Sequence, residues 1–139
     1  GLIARYYVQR LGGHERIHTL VTLGTPHGGT LPARLLPATL GRQLRPGSDL
    51  LRELDEPAAE VTTRFVAYWS DLDQMIVPKR NARIVHPDLH VRNELVRRTG
   101  HMSLPIDPRV VHSISTQLAQ LDADGSTAVP GVRAIRHSG

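Results

Sequence analysis

Ile17-His-Thr-Leu-Val-Thr-Leu-Gly-Thr-Pro-His-Gly-Gly-Thr30 is the stretch that decides the fold. Its first half, through Leu23, is short, β-branched and largely apolar, the composition of a strand buried on both faces. Its second half, Gly24 to Thr30, is loop by its glycines and proline. Working outward, the segment Gly1 to Leu11 places Leu2, Ile3, Tyr6, Tyr7 and Leu11 at helical spacing. Gly12-Gly13 then ends that helix, as a glycine cap does. Residues 31–60 are Leu-rich but broken by Pro32, Pro37, Pro46 and Pro57. They predict two or three short helices, the clearest from Ser48 to Leu54 with Ser48 as N-cap. Arg64-Phe-Val-Ala-Tyr-Trp-Ser70 reads as a second buried strand, and Leu89 to Val96 contains a third. Pro108 to Leu121 predicts a helix capped by Asp107, with Val110, Val111, Ile114, Leu118 and Leu121 as one apolar stripe.

Strands alternating with helices argue for an α/β fold with a parallel sheet covered on both faces. Residues 1–121 would form the domain. Residues 122–139, small, polar and unpatterned, are expected to be a disordered tail. Three strands are few for such a sheet, and the chain opens in helical character with no initiator Met or leader. The expectation is a fragment whose remaining strands lie upstream. Secreted, membrane-associated and cytoplasmic placements stay equally open.

Composition removes several classes of function. The 139 residues are 40% hydrophobic and 22% charged, ordinary for a globular protein. No run of eighteen apolar residues exists to span a bilayer. With no cysteine there is no disulfide, no thiolate nucleophile and no cysteine zinc site. The net charge of +4 comes from arginines scattered along the chain. Their only tight cluster, Arg97-Arg98, adjoins no aromatic, so no nucleic-acid partner is expected.

In parallel α/β sheets, functional groups gather past the carboxyl ends of the strands. Three loops qualify: Gly24 to Gly29, Ser70-Asp71-Leu72-Asp73, and Thr99-Gly100-His101-Met102. They bring a glycine-rich turn, a pair of carboxylates and a histidine. An acid after one strand and a histidine after the next is the order that follows the serine in one kind of catalytic triad. In that chemistry the histidine takes a proton from a hydroxyl nucleophile, and the carboxylate fixes its tautomer and stabilises the imidazolium.

These loops resemble those of bacterial lipases and esterases of the α/β-hydrolase fold. Gly1-Leu-Ile-Ala-Arg-Tyr-Tyr7 is similar to the helix after the family's G-H-S-x-G-G elbow. Val21 to Thr30 resembles the motif at its sixth strand. Ser70-Asp-Leu-Asp-Gln-Met-Ile-Val-Pro78 is similar to its acid loop, and Gly100-His-Met-Ser-Leu-Pro105 to its histidine loop. The resemblance covers roughly residues 1–121 and implies the C-terminal half of such a hydrolase. It implies His101 as the catalytic base and Asp73 as the acid, with Asp71 as the alternative. The family often has three residues between this acid and the proline, whereas Asp73 is followed by four before Pro78. The resemblance also implies the nucleophilic serine two or three residues before Gly1, depending on which elbow glycine Gly1 is; no serine within the chain sits in a G-x-S-x-G turn. The oxyanion donors would lie upstream too. Thr25, Pro26 and His27 are candidates to border the active site, although a structural hydrogen bond is the plainer role for His27.

The resemblance implies a carboxylic-ester hydrolase acting on acyl glycerols or similar lipid esters, with no cofactor and no metal. Its partners would be the ester substrate and, transiently, a lipid interface; oligomeric state is open. An acyltransferase using the same triad and a non-catalytic binding scaffold are the alternatives. The stretch containing Leu31, Leu35, Leu36, Leu40 and Leu44 lies where these hydrolases often insert a lid or acyl pocket, and packing on the sheet explains it equally. His14-Glu-Arg-Ile-His18 is a literal H-E-x-x-H, the zinc-protease pattern. Glycines before it and a β-branched run after it argue against the helix that zinc binding needs, so a surface turn is expected. His86 and His90 are also four apart, but Pro87 between them disfavours a shared helical face.

Overall fold

The computed structural model describes residues 1–35 and 38–123. Its elements are α1 (Leu2–Arg10), β1 (Thr19–Leu23), α2 (Ala38–Leu44), α3 (Asp49–Asp55), β2 (Arg64–Ser70), β3 (His90–Val96) and α4 (Pro108–Ala123). Short 3₁₀ segments intervene at Gly13–Glu15, Leu31–Leu35, Lys79–Ala82 and His101–Ile106. The three strands pair in parallel in the order β1-β2-β3. Thr19 stands opposite Arg64, and Arg64 opposite His90, so the strands start level; β2 and β3 end together at Ser70 and Val96, and β1 ends two residues earlier, at Leu23 opposite Tyr68.

β2 is the central strand, and its apolar run is buried on both faces, as the sequence predicts. Phe65 and Ala67 face Val8 of α1 together with Ala58, Val61, Ile84 and Leu89. Val66 and Tyr68 face the other way, against Val96, Leu104, Val110 and Ile114. The two-residue period of a strand makes this division. Burial of each Val, Leu, Ile or Phe side chain among these stabilises the fold by roughly 1.5–3 kcal/mol before its ordering cost is counted.

Two helices depart from expectation in the face they bury. On α1, Ile3 and Leu11 are 86% and 63% exposed, while Arg5 and Gln9 are buried beside Leu2 and Val8. The reason is a polar one. Arg5 Nη2 and Gln9 Nε2 both donate to the Leu54 carbonyl, at 3.2 and 3.1 Å. Arg5 Nε also donates to Gln9 Oε1 at 2.6 Å. Helix C-termini leave carbonyls without intrahelical partners, and α1 satisfies one on α3 with its inward face. Burial pushes the Arg5 guanidinium down to about 10, against the raising effect of Asp55. On α4, Val110 is buried and Ile114 packs beside it, but Val111 and Leu118 are 48% and 55% exposed. A turn of 100° per residue sets Val111 and Leu118 on one flank and Val110, Ile114 and Gln117 on the sheet side.

Element ends shift slightly. The first strand begins at Thr19 rather than Ile17, and α4 runs to Ala123, so two residues expected in the tail are helical. The rest of that expectation, residues 124–139, lies outside the described residues. Leu36 does too. Ser48 caps α3 as predicted, its Oγ accepting from Leu51 N at 3.3 Å. Among the described residues, no helix is long and apolar enough to cross a membrane.

Candidate active site

Because the three strands start level, their carboxyl ends deliver three loops to one edge of the sheet. After β2, Ser70 and Asp73 are fully buried. Asp73 Oδ1 accepts from Met75 N at 2.8 Å and from Ile76 N at 3.0 Å. A short acidic side chain turning back onto the amides two and three residues ahead is the Asx geometry that aspartate favours in turns. Oδ2 points away from that turn and accepts from His101 Nδ1 at 2.7 Å. The His101 side chain is 25% exposed. Among the described residues its Nε2 has no hydrogen-bond partner.

Asp71 lies elsewhere. Its Oδ1 accepts from Arg98 N at 2.8 Å, and its carbonyl accepts from Lys79 Nζ. Arg98 holds a φ of 59°, a left-handed conformation that costs a non-glycine residue energy. Asp71 thus fastens the turn from which the His101 loop leaves β3. Ser70 Oγ donates to the Thr99 carbonyl and adds a second tie. A third comes from Asp107, which accepts from Thr99 Oγ1 at 2.8 Å and from Arg109. Those hydrogen bonds, Arg109 first, hold the Asp107 carboxyl well below the usual carboxylate range.

The loop after β1 forms the floor. Gly24 N donates to the Tyr68 carbonyl at 2.9 Å, extending the ladder one residue past β1. Gly24 has a φ of 54°, and a Cβ built there would lie 2.9 Å from His101 Cε1 and Nδ1. The imidazole therefore stands directly over this glycine. Thr25 is buried, and a Cβ on Gly1 would lie 1.9 Å from its Oγ1, so the amino end of α1 abuts the same turn. Pro26 is half-buried, its carbonyl accepting from Gly29 N at 2.9 Å.

His27 is buried, with Nε2 2.9 Å from Thr22 Oγ1. Burial, and after it the Arg5 charge, push its imidazole down to about 3, so it is neutral near pH 7. Its Nδ1 has no partner among the described residues. His27 therefore staples the loop to β1.

The remaining histidines are dispersed. His14 Nδ1 lies 3.3 Å from the Val8 carbonyl in a 3₁₀ turn, and His18 Nδ1 lies 2.8 Å from Thr19 Oγ1. His86 Nε2 lies 3.0 Å from the Glu56 carbonyl, and His90 opens β3. No group of three or more potential metal ligands occurs among the described residues. A cavity of about 630 Å³ lies at the opposite edge of the sheet, lined by Thr19, Arg64 and His90 at the strand starts and Gln117 and Leu121 of α4. Its walls hold no paired acid and base.

Four contributors were not singled out as site residues in the sequence reading: Gly24, Thr30, Asn81 and Arg5. Gly24 carried a usable signal, a lone glycine at the exit of a buried strand. The others are legible only from contacts made across 45 residues or more, or, for Arg5, from burial that its charge argues against. The sequence of this chain matches none of the known protein families and none of the curated proteins with which it was compared.

Proposed function

We propose that this chain is the acid-and-histidine part of a serine hydrolase of the α/β-hydrolase fold, cleaving carboxylic esters of acyl glycerols or similar lipids. The observation that carries this reading is the 2.7 Å bond from His101 Nδ1 to a fully buried Asp73. With Nδ1 committed to the carboxylate, His101 Nε2 is the nitrogen that exchanges protons with substrate. A buried, doubly amide-bonded carboxylate fixes that tautomer and stabilises the imidazolium once it forms.

The nucleophilic serine in this reading stands on the amino-terminal side of Gly1. The contact of Gly1 with Thr25 supports that placement, because it brings the start of α1 to the turn on which His101 stands. The serine Oγ attacks the ester carbonyl as its proton passes to His101 Nε2. Collapse of the tetrahedral intermediate returns that proton to the departing alcohol and leaves an acyl-enzyme. Water then attacks the acyl carbon, again giving a proton to Nε2, and the serine leaves with it. An apolar acyl group is favoured by the exposure of Leu31, Leu72, Met75 and Met102 on or beside these loops.

The test is hydrolysis of p-nitrophenyl esters by the full-length protein that carries this segment. His101→Ala should abolish turnover and leave the fold intact. Asp73→Asn should lower kcat by about ten-thousand-fold. Asp71→Asn should cost far less, since Asp71 touches a backbone amide rather than the imidazole. Turnover that survives His101→Ala would end the hydrolase reading.

A further inference from the structure

The amides that hold Asp73 belong to Met75 and Ile76, and the segment Met75–Val77 is itself held from outside by one side chain. Thr30 Oγ1 donates to the Met75 carbonyl at 2.9 Å and accepts from Val77 N at 3.0 Å. It thus bridges the two peptide groups that flank Ile76. Leu31 N adds a bond to the Val77 carbonyl at 2.9 Å. Asn81 extends the seam: Gly28 N donates to its carbonyl at 2.8 Å, and its Nδ2 donates to the carbonyls of Gly28 and Gly29 at 3.1 and 3.0 Å. Thr30 is 6% exposed and Ile76 2%, so water does not replace these partners readily.

We propose that Thr30 is a positioning residue, its hydroxyl setting the aim of the Asp73 carboxylate on His101 by fixing the Met75–Val77 backbone. The inference rests on the hydrolase reading for its catalytic consequence, though not for its geometry. The physical argument is one of degrees of freedom. Asp73 Oδ1 follows wherever the Met75 and Ile76 amides go, and Oδ2 swings with it. Asp73 shares a short turn with those amides, so that turn can move as a unit without breaking its own bonds. The restraint must therefore come from another element, and Thr30 supplies it from the β1 loop. That loop also carries Gly24, on which the His101 ring rests. One loop thereby sets both members of the pair.

A hydroxyl is suited to this task, because one group donates and accepts at once. Valine would keep the shape and lose both bonds. Misplacement of reacting groups by about 1 Å can cost on the order of 100-fold in rate. Thr30→Val should therefore lower kcat by roughly 10- to 100-fold with KM little changed, and Thr30→Ser should restore it.

The experiment pairs that kinetic comparison in the full-length protein with proton NMR of the His101 Nδ1–H, which reports the bond to Asp73 whether or not the protein turns over ester. In Thr30→Val the Nδ1–H signal should exchange with water and broaden, and in Thr30→Ser it should persist as in the parent. Thr30→Ala serves where the valine variant does not fold. A sharp Nδ1–H signal with parental kcat in a folded Thr30→Val or Thr30→Ala protein overturns the proposal. So does failure of both variants to fold, since Thr30 then holds the fold rather than the carboxylate. If ester turnover survives His101→Ala while the Nδ1–H signal still depends on Thr30, the hydrolase reading has failed and the positioning role has not.

Discussion

At the scale of single residues, the chain chooses between two carboxylates by where their turns point. Asp71 and Asp73 stand two apart in one loop, and spacing to Pro78 alone left either as the partner of His101. Only Asp73 turns back onto the following amides, which leaves its second oxygen aimed across to β3. Gly24 is the complementary feature. Gly24→Ala would force a left-handed φ on an L-residue, at roughly 1–2 kcal/mol, and set its methyl against the His101 ring. Denaturant unfolding should show that modest loss, and the His101 ring resonances should move far more than those of His86. Unchanged His101 resonances would mean that the ring does not depend on this floor. His27 predicts a pH effect. Its imidazole is held near 3 in the fold against an ordinary 6.5, so below pH 6.5 the unfolded chain takes up a proton that the folded chain refuses. Stability is full above 6.5 and falls as pH drops, by at most about 1.4 kcal/mol per unit. Denaturation of His27→Gln from pH 7 down to about 4 should show a slope shallower by one proton, and identical slopes would refute the assignment.

At the scale of elements, strands were easier to read than the faces of helices. Val66 to Tyr68 is apolar in sequence because both sides of β2 are covered, so composition alone located it. The inward side of α1 was not legible, because an arginine and a glutamine at an i, i+4 spacing look like solvated surface. They are buried only because α3 ends against them with a carbonyl to satisfy. The α4 stripe was half right for a simpler reason: the sheet below it accepts Val110 and Ile114 and does not reach round to Val111 and Leu118. Capping was readable because it is local. Ser48 Oγ accepts from Leu51 N and donates to the Gln43 carbonyl at 2.8 Å, tying the start of α3 to α2. Ser48→Ala should therefore cost about 1 kcal/mol, read as a lower midpoint in urea with an unchanged slope. No shift in the midpoint would show that the cap is not stabilising.

At the scale of the whole molecule, the sheet has one central strand and two edges. β2 pairs on both sides, whereas β1 and β3 each pair on one side only among the described residues, and Leu20, Val21 and Leu23 of β1 are half-buried. Amide exchange in the chain of 139 residues should follow that order, slowest in β2 and faster in β1 at the amides facing away from β2. Uniform protection across β1 would mean that its outer edge is covered. The same layout has an evolutionary side. Between Thr30 and Thr63, α3 is fastened to α1 through Leu54 and Glu53, and α2 to Thr30 through the Leu44 carbonyl, which accepts from Thr30 N at 2.8 Å. Descendants could lengthen, shorten or rewrite that segment while inheriting Asp73 and His101 untouched. The Leu44 carbonyl is the exception: a lineage that displaces it disturbs Thr30, and through Thr30 the pair itself.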